Sequence, residues 1–283
     1  MRFDTHIHLD ALPDEALAGS LFAAPDYRAF VPGIEPAGVA AALLRFGSEA
    51  RLFFGTSLHP WYLAAPPSSG GPMRPQDDPR WPLLEAQARD PRIAAIGECG
   101  LDHLRHTDEA TRAWAEACFA AQIALAVAAA KPLVLHCVRA HGRCLELLRQ
   151  HRGDRVGGIV HAFSGSAEEA AAYHRLGFVV GIGAAVTREG AKRVRTAAAM
   201  LPSGTFVLET DAPFMSAVPA PAGSGRIDDL EAVAAAVAAL RNCHVEALYA
   251  ATSATALRLL APASLPLQAN LGIAPADPRR DLP

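Results

Sequence analysis

The chain has 283 residues, of which 51% are hydrophobic, and a formal net charge of -3. That is apolar content enough for one large α/β domain or two modest ones. The slightly acidic balance excludes a whole-chain electrostatic clamp on nucleic acid, so any polyanion would have to be captured locally. No leading segment resembles a signal peptide, and no apolar run approaches a membrane span without a polar interruption. Five scattered cysteines, Cys99, Cys118, Cys137, Cys144 and Cys243, form no C-x-x-C pair. They read as small core residues of a reduced, cytoplasmic protein without a structural disulfide.

Short apolar runs alternate with longer helix-favouring segments. RFDTHIHL (2–9), YRAFVPG (27–33) and RLFFGTSLH (51–59) open the series as strands. The stretch at 65–82, dense in Pro, Gly and polar residues, reads as a long loop. IAAIGECG (93–100) is the fourth strand, followed by an Ala-rich helix over 109–130. Then come PLVLHCV (132–138), a helix over 139–150, VGGIVHAF (156–163), a helix over 167–176, FVVGIGA (178–184), a helix over 189–201 and FVLETDAP (206–213). Parallel neighbours need crossovers, and eight strands is the number that closes a barrel. The expected architecture is a single TIM-type (β/α)8 barrel over 1–262. The tail, 263–283, lacks periodicity and is expected to be extended or disordered.

Barrels of this kind place their chemistry at the carboxyl ends of the strands. The first run ends in His6-x-His8, and residues two apart on a strand share one face. The fourth ends in Glu98, the fifth in His136, the sixth in His161 and the eighth in Asp211. Nitrogen and oxygen donors in this mix suit Zn²⁺, Mn²⁺ or similar ions. H-x-H alone is a weak motif, and a lone strand-end histidine is usually a hydrogen-bonded rim residue. Buried unpaired carboxylates, however, cost several kcal/mol each, and no Lys or Arg adjoins Glu98 or Asp211 in their apolar runs. A cation in the mouth supplies the missing charge.

Six ordered stretches, DTHIHLD (4–10), GTSLHP (55–60), AIGECGLD (95–102), KPLVLHC-x-RAH (131–141), GIVHAFSG (158–165) and LETDAPF (208–214), resemble the TatD family of metal-dependent hydrolases. The resemblance spans nearly the whole chain. It implies a site for two divalent ions (Mg, Mn or Zn). His6, His8 and Asp211 would hold the first, His136 and His161 the second, and Glu98 would bridge both. It further implies hydrolysis by water activated between the ions, with Asp211 also orienting that water. The expected reaction is 3′-to-5′ trimming of single-stranded DNA. Ester or amide hydrolysis, such as deacylation of D-aminoacyl-tRNA, is the alternative on the same site. No membrane association is expected, and the chain is expected to be a monomer or weak homo-oligomer.

Candidates for contact with substrate phosphate are His59, Arg139, His141 and Ser164. Arg188, Lys192, Arg193 and Arg195 form a basic cluster that either guides a strand or is simply a solvated helix face. Phe163 and Phe214 flank the mouth as stacking or packing residues. Asp4, Asp102 and Glu209 are expected to support the ligands or their loops. His103, His106 and His174 read as surface residues. Two departures from the family pattern bear on substrate preference: Thr255 stands where an Asn is usual, and Arg226 in GSGRIDDL is the remnant of an R-N-x-P motif.

Overall fold

A computed structural model describes residues 1–13, 24–64, 74–217, 221 and 223–261. The expected tail and the first half of the expected 65–82 loop lie outside these residues. The strands are β1 (Arg2–Asp4), β2 (Tyr27–Val31), β3 (Leu52–Thr56), β4 (Ile93–Asp102), β5 (Leu133–Val138), β6 (Gly158–Val160), β7 (Phe178–Ile182) and β8 (Phe206–Leu208). They lie in chain order in one sheet with every neighbouring pair parallel. The seam between first and last is joined by Thr5 N–H to Leu208 O (3.0 Å), His8 N–H to Ala212 O (2.9 Å) and Asp211 N–H to His6 O (2.8 Å). The result is the expected (β/α)8 barrel.

Outside the strands run α1 (Pro36–Phe46), α2 (Trp81–Ala88), α3 (Glu109–Ala129), α4 (His141–Gln150), α5 (Ala167–His174), α6 (Lys192–Met200), α7 (Asp229–Arg241) and α8 (Val245–Leu260). Local chemistry sets their ends. Asp108 accepts the Thr111 N–H at 2.9 Å to start α3, and Ser166 with Glu169 forms a reciprocal capping box on α5. One expectation needs correction: α2 begins inside the stretch read as loop, because Pro82 sits in the first helical turn, where its missing N–H costs nothing. The longest described helix, α3, carries the polar interruptions Glu116 and Gln122. By length and composition alone, it is apolar enough to cross a membrane. Here its Ala115, Cys118, Phe119, Ile123 and Ala126 are buried in the barrel's outer layer, which accounts for the apolar content. All five cysteines are free thiols, and only Cys243 is exposed.

The interior explains where the site sits. Phe3, Phe30, Phe53, Ala95, Val134, Ile159, Val179 and Val207, one from each strand, form a buried cluster closed at its base by Ala256, Leu257 and Leu260 of α8. Each large apolar side chain in such a layer contributes about 1.5–3 kcal/mol by leaving water. Side chains alternate along a strand, so the next inward layer follows two residues on. It holds His136 above Val134, His161 above Ile159, Glu209 above Val207 and Gly181 above Val179. The barrel thus has an apolar floor and a polar upper layer.

Candidate metal centre

Glu98 organises the mouth. A register shift in β4 between Ile96 and Cys99 brackets it, the kind of irregularity that re-aims a side chain at functional sites. Ser57 Oγ lies 2.6 Å from the Gly33 carbonyl and 2.5 Å from the Glu98 carbonyl, and its single proton is shared between them, pinning that backbone. The carboxylate then reaches both halves of the mouth. Oε1 lies 2.6 Å from His136 Nδ1 and 3.3 Å from His59 Nε2. Oε2 lies 3.0 Å from His6 Nε2 and 3.9 Å from His8 Nε2. Asp211 closes the other side, 3.5 Å from His8 Nε2 and 3.8 Å from His161 Nε2. The His6 and His161 rings stack at 3.4 Å between these carboxylates.

All six expected ligands therefore converge on the mouth. Donor atoms of His6, His8 and Glu98, of His6, His161 and Asp211, and of His59, Glu98 and His136 each lie within 4.8 Å of one another. His161 Nε2 lies 3.8 Å both from Asp211 and from Glu98 Oε1, the oxygen that His136 touches, so it faces both halves of the mouth. His59, expected to touch phosphate, sits in the cluster with Glu98 and His136, 5% exposed.

Several buried donors have no other use. His6 Nδ1 has no hydrogen-bond partner among the described residues although the residue is fully buried, and its Nε2 has only the Glu98 carboxylate, 3.0 Å away. His8 Nδ1 and Glu209 Oε2 are orphaned in the same way. Unpaired buried polar atoms aimed at carboxylates are what a cation site requires and a packed core avoids. Burial opposes charge on Glu98, yet the imidazoles of His161, His6 and His59 hold its carboxyl well below the usual range. Burial likewise opposes a proton on His161, but Glu209, Glu98 and Asp211 outweigh it and push the ring up to about 10. His136 is pushed up to about 9 against burial by Asp102 and Glu98. Burial, then the neighbouring His161, lowers His6. The residues fit a metal: a cation would take over the charge balance that these protons provide.

The supporting residues are equally specific. Asp4 is buried and accepts from Tyr27 Oη (2.7 Å), Thr210 Oγ1 (2.6 Å), Thr210 N (3.0 Å) and His6 N (3.2 Å). It thereby ties the exits of β1 and β8 together, and burial pushes its carboxyl up to about 7. Asp102 accepts from the Trp61 indole at 2.7 Å and from the backbones of Leu104 and Arg105. It also lies 3.2 Å from His136 Nε2. Gln122 was not anticipated. It reaches from α3 to bond both Leu58 N (2.8 Å) and Leu58 O (3.0 Å), fixing the loop that carries His59. The signal for it was a lone amide on the buried face of an apolar helix. Arg139, Ala162 and Asp211, all at strand exits, adopt left-handed φ values of 53°, 44° and 56°, a strained conformation typical of functional loops.

Residues 3–261 match the family model described as TatD related DNase. The chain belongs to the TatD-related DNase family. The "3'-5' ssDNA/RNA exonuclease TatD" of Edwardsiella piscicida is 38% identical over 149 residues, 50% of this chain and 56% of that protein. That match spans little more than half the relative's length. The "uncharacterized metal-dependent hydrolase YjjV" of Escherichia coli K12 is 31% identical over 218 residues, 75% of this chain and 79% of the relative. The crystal structure of YjjV superposes with a TM-score of 0.78 at 25% identity, covering 92% of this chain and 97% of that one.

Within this TatD-family barrel the remaining expected residues divide. Phe163 is 2% exposed and packs on the His141 ring at 5.3 Å, so it is not free to stack on a base. Phe214 is 54% exposed beside His8, with ring centres 4.8 Å apart. Arg139 and Ser164 are exposed on the rim. His103 and His106 are half-buried rather than surface residues, and only His174 is exposed. Thr255 is buried and bonds the Ala251 carbonyl of its own helix, while Arg226 lies 3.8 Å from Asp228.

Gly181 tests the polar layer. A Cβ at this position would run into the Glu209 carboxylate, so Gly181→Ala is expected to destabilise by about 1–3 kcal/mol, the usual cost of overpacking. At roughly 2–4 °C per kcal/mol for a domain near this size, a thermal melt resolves it. The same variant should bind metal more weakly by displacing Glu209 from His161. Wild-type melting and metal binding together would show that Glu209 has room to spare.

Proposed function

We propose that this chain is a metal-dependent nuclease of the TatD type that removes nucleotides from the 3′ end of single-stranded DNA at a pair of divalent ions. The observation carrying this reading is the reach of Glu98: one carboxylate with an oxygen on each half of the mouth, the geometry of a bridging ligand. Family membership and the exonuclease activity named for the Edwardsiella relative support the substrate class. Bound between the donors, the ions would supply positive charge to the scissile phosphate and to the attacking and leaving oxygens.

The protein's own groups do the rest. His6, His8 and Asp211 on one side and His136 and His59 on the other would hold the ions through Glu98, with His161 facing both groups. Asp211 stays ionised, since the surrounding imidazoles outweigh its burial. A ligating carboxylate of this kind can still accept a hydrogen bond from the attacking water and orient it. Asp102 and Glu209 keep the His136 and His161 rings in place. The apolar floor under the site excludes bulk water from below.

The test uses protein purified free of metal, then supplied with Mg²⁺, Mn²⁺ or Zn²⁺. Single-stranded DNA labelled at its 3′ or 5′ end is offered beside a D-aminoacyl-tRNA. Metal-dependent shortening from the 3′ end is expected. Intact DNA with release of the amino acid would replace the nuclease reading by the deacylase one.

A further inference from the structure

A second concavity opens on the same rim, between the turns that follow β5 and β6. It encloses about 400 Å³, and its walls include Arg139, His141, Arg143, Ser164, Glu169 and Arg193. Arg139 follows His136 by three residues and Ser164 follows His161 by three, so the strands that deliver metal donors also deliver this wall. Its charged groups are not equivalent. Arg143 is committed to Glu116 and Glu146, at 2.7 Å each. Glu169 accepts the Ser166 N–H at 2.7 Å within the α5 capping box. His141 is held by Cys137 Sγ (3.2 Å) and Tyr173 Oη (3.3 Å).

Arg139 and Arg193 differ from these. Both are exposed, and neither guanidinium has a hydrogen bond or ion pair among the described residues. Within the basic cluster at 188–195, Arg193 is the member that lines the cavity, whereas Arg195 donates to the Val186 carbonyl at 2.7 Å. Two uncommitted guanidinium forks and the Ser164 hydroxyl therefore face one space. Guanidinium forks match the paired oxygens of phosphate. A chain of net charge -3 has to gather a polyanion by such local means.

We propose that this cavity is a phosphodiester subsite, occupied by the phosphate next along a single strand from the one at the metal centre. The inference rests on the nuclease reading and adds to it a second point of attachment. The metal centre alone would hold one phosphate and set no preference for length. A cationic cavity beside it makes a strand with two phosphates the better substrate and fixes its direction across the rim.

The experiment compares three substrates on the metal-loaded enzyme. They are a dinucleoside monophosphate, a trinucleoside diphosphate, and the same trinucleotide carrying a neutral methylphosphonate at the phosphate 5′ of the scissile one. Wild type is expected to cut the fully charged trinucleotide about tenfold better in kcat/KM than the methylphosphonate form. Arg139→Gln/Arg193→Gln should cut those two alike, so that charge removal on either side gives the same loss. Strand binding, read by fluorescence anisotropy, should lose roughly 0.7 from its log–log salt slope in the double variant, the value for one phosphate contact on a single strand. A variant that keeps the tenfold preference overturns the proposal. So does one that loses equally on all three substrates, because the damage then lies in the metal centre. If wild type cuts none of them, the nuclease reading fails separately. The anisotropy then decides the cavity: about tenfold weaker trinucleotide binding by the variant upholds it, and equal binding overturns it.

Discussion

Glu98→Gln is expected to lower cleavage of single-stranded DNA on the order of 10³-fold. That exceeds the 10–100-fold typical of residues that only support a ligand, because Glu98 is itself in contact with both donor groups. The substitution keeps the shape and removes the charge. It leaves His6, His59, His136 and His161, all within 3.8 Å of the carboxylate, without the anion that gathers them. The consequence reaches beyond rate. A ligand that binds only the folded state stabilises it by about 2.7 kcal/mol at a hundred times its dissociation constant. Added Mn²⁺ or Zn²⁺ should therefore raise the melting temperature of wild type and raise that of the variant much less. A Glu98→Gln protein with the wild-type metal-dependent rise and a rate within tenfold of wild type would remove Glu98 from the bridge.

Most of the architecture was legible because it follows from two periodicities. Apolar runs alternating with amphipathic segments required parallel strands, and the donors at run ends marked the rim. What the alternation could not supply lay where local backbone breaks it. Phe3 points into the barrel, so strict period two would send Thr5 and Ile7 inward and both histidines out. Instead β1 stops at Asp4. Thr5 turns its hydroxyl to the Leu208 carbonyl at 3.0 Å, and Asp4 anchors the turn that swings His6 and His8 into the mouth. The register shift around Glu98 is a similar event in β4. No spacing rule announces either one, since both are set by contacts with residues about 200 and 40 positions away in the chain. The closeness of His59 to Glu98 was hidden for a related reason. Its position depends on Gln122, whose amide makes sense only when α3 is packed against the third loop. The stacking of His161 on His6 belongs to the same class, because it is a property of the closed barrel and not of either strand.

Glu209→Gln carries the second large prediction, a 10- to 100-fold loss of metal affinity and activity, the range for carboxylates that hold a ligating imidazole. Glu209 is fully buried. Its Oε1 accepts the Ala162 N–H at 2.6 Å and lies 3.1 Å from His161 Nδ1, off the line of an ideal hydrogen bond. A proton held at Nδ1 on that side leaves Nε2 to face Asp211 and Glu98 as a donor to metal. Gly181 and Gly183 provide the space for the carboxylate, so the arrangement was built by three positions on two strands. Two effects of the amide oppose each other. Removing the negative charge makes His161 easier to deprotonate, which favours metal binding. It also withdraws that charge from the ion itself. The first effect concerns a single proton and the second a divalent cation at similar range, so the second prevails and binding weakens. Titration of the metal-free protein with Zn²⁺, followed by intrinsic fluorescence or calorimetry, measures the balance. Affinity within twofold of wild type would mean that Ala162 and the packing around it orient His161 without help from the carboxylate.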